Sequence, residues 1–142
     1  EEVAVFTHQE LNFINELGFA RIATATPDGH PHVVPGRAHV ENGMIIIPGW
    51  QMKRSYKYRQ VGKNPWVAVV WDTREPGNNK GVEVRGQAVA VEELGNPDSS
   101  YTHRIEVTPS KVFSWGIHEH YFESFHTKMG YPIDHGRNEQ RT

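Results

Sequence analysis

Residues 52–65, MKRSYKYRQVGKNP, carry five cations, Lys53, Arg54, Lys57, Arg59 and Lys63, and no acid. Side chains of these types recognise anions: a serine gives a hydroxyl, a lysine a compact charge and an arginine a planar two-pronged donor, so a phosphate is the natural guest. In a helix over about 51–62, Lys53 and Lys57 stand four residues apart on one face. Like charges in that arrangement cost roughly a few tenths of a kcal/mol until an anion sits between them. Arg54 and Ser55 belong to the same stretch, and the free backbone N–H groups at the helix start, just beyond Gly49, would add to the pull. Two other readings stay open on spacing alone. A charge run is often a solvated helix face. Trp50, Tyr56 and Tyr58 also interleave aromatics with the cations, as single-strand nucleic-acid binders do, although no second basic stripe extends the footprint.

Other chemistries find less to work with. The chain has no Ser-His-Asp arrangement, no G-x-S-x-G elbow, no G-x-G-x-x-G fingerprint and no P-loop. Its acids are scattered singly, so a hydrolase built on paired carboxylates has no foothold. Nine histidines invite a metal. On a helix, however, His118 and His126 lie two turns apart, roughly 12 Å, too far for one ion. On a strand, His118 and His120 share a face but lack a third ligand at a standard spacing, so no metal site is expected. His30 and His32 flank Pro31 at a hairpin turn and are expected to be exposed. Trp115 reads as a core plug, with a place in a substrate wall as the alternative.

The elements that must position these residues are marked by period and punctuation. Thr7 followed three residues later by Glu10 makes a capping box, Phe6 and Leu11 make its hydrophobic staple, and Leu11, Ile14 and Leu17 share one helix face that stops at Gly18. FARIATAT, PHVVPGRAHV and MIIIPG follow, separated by the turns PDGH and ENG, and predict a meander of three antiparallel strands. The cationic stretch then reads as a helix, because it lacks proline and glycine until GKNP. WVAVVWDT, GVEVRGQAVAVEE and HRIEVTPSKVFSWG predict three more strands, and the tail from His118 has no clean period. The expectation is a mainly β single domain over 1–142: a six-stranded barrel with an N-terminal helix and a second helix between strands 3 and 4.

Totals bound the rest. A chain of 142 residues suits one domain. With 15 Lys+Arg against 17 Asp+Glu the net charge is −2, which offers no global field for nucleic acid or an anionic membrane. The absence of cysteine excludes disulfides and thiolate chemistry and fits a reducing, cytoplasmic setting. No apolar run approaches the roughly 20 residues needed to span a bilayer, and EEVAVFTHQE lacks the pattern of a signal peptide.

Taken in order, RIATATPDGHPHVVP, SYKYRQVGKNPWVAVVWD, GVEVRGQAVAVEE and RIEVTPSKVFSWG resemble the split β-barrel flavin and deazaflavin oxidoreductases related to pyridoxamine 5′-phosphate oxidase. The resemblance covers roughly residues 8–117. SWG closing the last strand, together with K-Y-R-x-V-x-x-N-P, is most similar to the actinobacterial branch that uses the deazaflavin coenzyme F-420. It implies a six-stranded split barrel and a homodimer with two coenzyme sites at the subunit interface. It also implies hydride transfer from the reduced deazaflavin to a small conjugated acceptor. FMN is the alternative cofactor, in a reductase or a pyridoxamine phosphate oxidase. A non-catalytic binder of flavin, deazaflavin or tetrapyrrole is the alternative from another class.

Residue by residue, the resemblance places Lys57 on the cofactor phosphate, Ser55 at another contact position, and Trp50 and Gln51 along the cofactor. Lys53 and Arg54 rest on the charge argument alone. Asn79 and Lys80 match the segment that reaches over from the partner subunit. Catalytic residues are not assigned. GRAHV departs from the family's apolar strand and is expected to put Gly36, Arg37 and His39 near the ring-binding face. WVAVVWD, apolar on both faces, makes Trp66 and Trp71 candidates to cover a partner, with a two-sided core strand as the other reading.

Overall fold

Helix α1 (His8–Leu17) begins and ends where its flanking residues dictate. The Thr7 side chain accepts from the Glu10 N–H at 3.1 Å while the Glu10 carboxylate accepts from the Thr7 N–H at 2.9 Å. Gly18 ends the helix at φ 69, a left-handed position that glycine takes without strain. Phe6 and Ile14 are buried, as the staple and the apolar stripe require. The computed structural model describes residues 5–49, 52–92 and 103–118.

The strands are β1 (Phe19–Ala25), β2 (Pro31–Arg37), β3 (His39–Glu41), β4 (Met44–Pro48), β5 (Trp66–Thr73), β6 (Lys80–Glu92) and β7 (His103–Trp115). Between β4 and β5 lie a 3₁₀ turn (Met52–Arg54) and helix α2 (Tyr56–Val61). All the strands join one antiparallel sheet in the order β2-β1-β5-β6-β7-β4-β3. Among the described residues the sheet thus has seven strands where six are expected, because the stretch read as one strand, PHVVPGRAHV, divides at Ala38. Its first part pairs with β1 and its second with β4, so residues 31–41 supply both ends of the strand order. The backbone groups at the break are not left bare. Ala38 N–H donates to the Gly18 carbonyl at 3.1 Å, and its carbonyl accepts from Trp71 Nε1 at 3.1 Å.

One face of this curved sheet holds the core. Ile22, Ile45, Ile47, Val69, Trp71, Val82, Val84, Ile105, Val107 and Val112 are all within 1% of complete burial, and along β1 and β5 the buried residues alternate with less buried ones. Asn42 and Gly43, at φ 52 and 77, make the two-residue β3–β4 turn, a mirror-image turn that matches the twist of its strands. The long β6–β7 pair is interrupted once. Arg85 faces Lys111 but Gly86 faces Pro109, and the extra residue, Ser110, donates its hydroxyl to the Arg85 carbonyl at 3.1 Å. Among the described residues no helix is long and apolar enough to cross a membrane.

Candidate functional site

The cationic stretch is not one helix. The chain leaves β4, makes a single 3₁₀ turn and restarts as a short α-helix, because Ser55 is extended at φ −73 and ψ 149 and caps α2. Its Oγ accepts from the Tyr58 N–H at 3.2 Å and donates to Met52 Sδ at 3.2 Å. This overturns two expectations. Lys53 and Lys57 do not share a helix face, so the like-charge spacing argument fails for them. The first-turn donors of α2 are partly met by Ser55 itself rather than held out for a phosphate. Serine's preference for closing helix starts outweighed the absence of proline and glycine on which the longer helix rested.

The cations separate by environment. Lys53, Arg54 and Arg59 are exposed, and Lys57 is half-buried. Burial pushes the Lys57 ammonium below the usual lysine range, and no neighbouring charge contributes to that shift. The Lys57 stem lies against β2 at Gly36, where a Cβ would come 4.0 Å from Lys57 Cε and 2.9 Å from Ile22 Cδ1. A side chain at position 36 would therefore displace Ile22 while only touching Lys57. Gly36, Val34 and His32 occupy the inner face of β2, across from Ala20, Ile22 and Thr24 of β1.

His32 is half-buried rather than exposed, with its ring 4.5 Å from that of Tyr56. A second tyrosine, Tyr58, meets His103 at the start of β7 edge-on at 5.5 Å. Its phenol is pushed up, first by burial and then by the Glu92 carboxylate, so it holds its proton firmly. The strip under α2 thus combines one partly desolvated cation, a glycine against which Ile22 packs closely and a histidine packed at a tilt against tyrosine. Sequence reasoning missed His32, Tyr56 and Gly36 as a group. The available signal was alternation: in PHVVPGR every second residue turns to one face, which joins His32 to Gly36 and separates both from Arg37.

Other expectations resolve as follows. Arg37 is exposed on the outer face, and His39 lies beyond the Ala38 break with Nε2 2.7 Å from the Glu41 carboxylate, so only Gly36 of the three faces α2. Asn79 is exposed and Lys80 half-buried at the start of β6. Among the described residues no hydrogen bond or ion pair links either to α2, so within one chain they do not join Lys57. Trp50 and Gln51 lie outside the described residues, as do His120 and His126. Trp71 is fully buried core and cannot cover a partner, whereas Trp66 is 52% exposed on the outer face. Trp115 is buried against Gly81. His118 is also buried, its Nε2 2.9 Å from Thr7 Oγ1. No group of three His, Asp or Glu side chains among the described residues is arranged to hold a metal ion.

A family model described as pyridoxamine 5′-phosphate oxidase matches residues 6–116. A 5a,11a-dehydrotetracycline/5a,11a-dehydrooxytetracycline reductase from Streptomyces rimosus is 34% identical over 119 residues, covering 79% of this chain and 84% of that protein. Among solved structures, a conserved hypothetical protein from Mycobacterium tuberculosis superposes with a TM-score of 0.64 at 20% identity, over 93% of this chain and 94% of the other. An F-420 reductase superposes with a TM-score of 0.56 at 21% identity, over 71% of this chain and 93% of the other. Both structural likenesses speak to the fold.

Proposed function

The chain belongs to the pyridoxamine 5′-phosphate oxidase family, and from that premise we propose that the protein is an oxidoreductase working with reduced coenzyme F-420 on a small conjugated acceptor. The observation that carries the reading is Lys57, a half-buried cation whose shift traces to burial alone. An ammonium partly stripped of water, with no carboxylate partner among the described residues, is suited to a phosphate guest. The reductase from Streptomyces rimosus, at 34% identity, supports the reaction class.

The residues fit such a guest. Lys57 would hold the phosphate, with its stem beside Gly36 and Ser55 fixing the start of the helix that carries the lysine. Lys53 and Arg54, exposed at the rim, would draw the anion in from solution. Trp50 and Gln51 would line the coenzyme, and Asn79 and Lys80 would come from a second subunit. When bound, the deazaflavin supplies the hydride. The work left to the protein is binding, orientation and exclusion of water, which suits a chain without an acid–base dyad.

A second copy of the chain is part of this reading. Phe19, Val33, Trp66 and Val89 are 62%, 63%, 52% and 63% exposed, and all four project from the outer face of β1, β2, β5 and β6. Val33, Ala23 and Ala68 follow one another across three neighbouring strands on that face. Val33 with Ala23 and Ala68 makes a continuous apolar strip there, the kind of surface a partner covers. Val33→Asp is expected to raise the dimer dissociation constant by at least about tenfold, the scale of burying an unpaired carboxylate. Sedimentation velocity over a concentration series checks it, and an unchanged dimer counts against this face as the interface.

The function is tested by native mass spectrometry after incubation with coenzyme F-420 and with FMN. Anaerobic mixing of the reduced complex with conjugated acceptors follows. The expected result is a stoichiometric F-420 complex whose reduced form is oxidised by an enone acceptor. FMN bound in preference would replace the coenzyme assignment, and tight F-420 binding without turnover of any acceptor would replace the enzyme with a carrier.

A further inference from the structure

Among the described residues three buried polar atoms in and beneath α2 have no hydrogen-bond partner, and the strand register sets two of them side by side. Thr24 on β1 and His32 on β2 are direct cross-strand neighbours on the inner face. Thr24 Oγ1 and His32 Nδ1 are both sealed from solvent and have no partner among the described residues. The third atom is Gln60 Oε1. Gln60 stands one turn beyond Tyr56, whose ring rests on His32, and so projects from the same side of α2. Just past the helix, Asn64 Nδ2 donates to the Thr26 carbonyl at 3.3 Å, two residues farther along the chain than Thr24. These two contacts hold α2 against β1 and β2 on either side of Gln60. Thr24 is 3% and Gln60 5% exposed, so solvent at the surface does not reach them.

We propose that one buried water molecule occupies this seam, donating to Gln60 Oε1 and to His32 Nδ1 and accepting from the Thr24 hydroxyl. Three hydrogen bonds are the usual complement of an internal water, and native interiors leave few polar atoms unmet. The donor and acceptor capacities close. The glutamine oxygen only accepts, the threonine hydroxyl donates, and the imidazole accepts at Nδ1. The last bond has a consequence for the site. A neutral His32 that accepts at Nδ1 carries its proton on Nε2, so the nitrogen left for a guest beside Tyr56 is a donor. His32 then acts as a positioning residue suited to an acceptor oxygen, and the water sets its tautomer. This holds whichever coenzyme the strip binds.

The test uses the whole chain labelled with nitrogen-15 in mildly alkaline solution, where imidazoles are neutral. Long-range proton–nitrogen correlation reads the His32 tautomer, and cross-relaxation from water reads a long-lived molecule beside Thr24 and Gln60. The expected result is the Nε2–H form of His32 together with a water cross-peak to both side chains. Thr24→Ser, which keeps the hydroxyl, preserves both signals. Thr24→Val removes the water signal and returns His32 to a mixture of tautomers, and Gln60→Met asks the same question should the valine variant fold poorly. A wild-type His32 protonated on Nδ1, or no water signal because Thr24 and Gln60 bond directly, overturns the proposal.

Discussion

Trp71→Ala is expected to lower the unfolding free energy by about 3–5 kcal/mol, the range for removing a fully buried aromatic side chain. Trp71 has no exposed surface. More than volume is at stake, because its indole N–H meets the Ala38 carbonyl at 3.1 Å, at the point where β2 gives way to β3. Without that donor, a carbonyl that has left both ladders is buried unmet, and the chain loses one of the two bonds that fix the break. Trp71→Phe separates the two contributions. It keeps most of the packing and should cost about 1–3 kcal/mol for the orphaned carbonyl. Urea denaturation at constant slope measures both variants. A phenylalanine variant as stable as the wild type would show that the indole bond does not hold the break.

Lys57→Ala is expected to weaken coenzyme binding by about 1.5–3 kcal/mol, roughly 10- to 150-fold, the scale of one charge-assisted hydrogen bond. Folding should barely change, because the alanine removes a half-buried charge along with its contacts. A dissociation constant equal to that of the wild type would return the cation cluster to a solvated face. The pH dependence supplies an independent reading. Burial holds the Lys57 pKa below the usual lysine range, so the folded chain releases this proton at a lower pH than the unfolded chain. Between those two values the unfolded state binds more protons, and stability rises with pH; below both, burial of the charge weighs fully against folding. Anion binding has the opposite sense. Affinity should be flat while Lys57 is charged and should fall as pH climbs through the lowered pKa, earlier than an exposed lysine would allow. Lys57→Arg keeps its charge throughout and should abolish that fall, which titration calorimetry across the alkaline range would detect.

Much of the architecture was legible because the local signals were strong. The capping box at Thr7 and Glu10 and the alternating β5 needed no tertiary information, and WVAVVWDT is the observed strand residue for residue. The Ala38 break was not legible. Nothing in PGRAHV announces it, since the backbone groups it frees are met by Gly18 and Trp71, residues distant in sequence. The cation cluster was legible as composition and misread as geometry. Ser55 halts one helical segment and starts another, a choice that depends on its hydroxyl reaching Tyr58 and Met52. The histidine beside the site was placed on a strand but read as exposed, because it stands at the end of a hairpin turn. Only the alignment of Thr24 with His32 shows which way that ring faces.

The division of residues 31–41 into β2 and β3 also bears on how the protein keeps clear of its neighbours. The sheet's two outermost strands are portions of one continuous stretch, so the open rims fall on separate parts of it and the β3 rim is only three residues long. β2 carries Pro31 and Pro35, which have no N–H, and proline is accommodated in an edge strand where the missing donor faces away from its neighbour. A stray extended peptide seeking to add itself to the sheet meets a rim already poor in donors, a built-in guard against fibril growth.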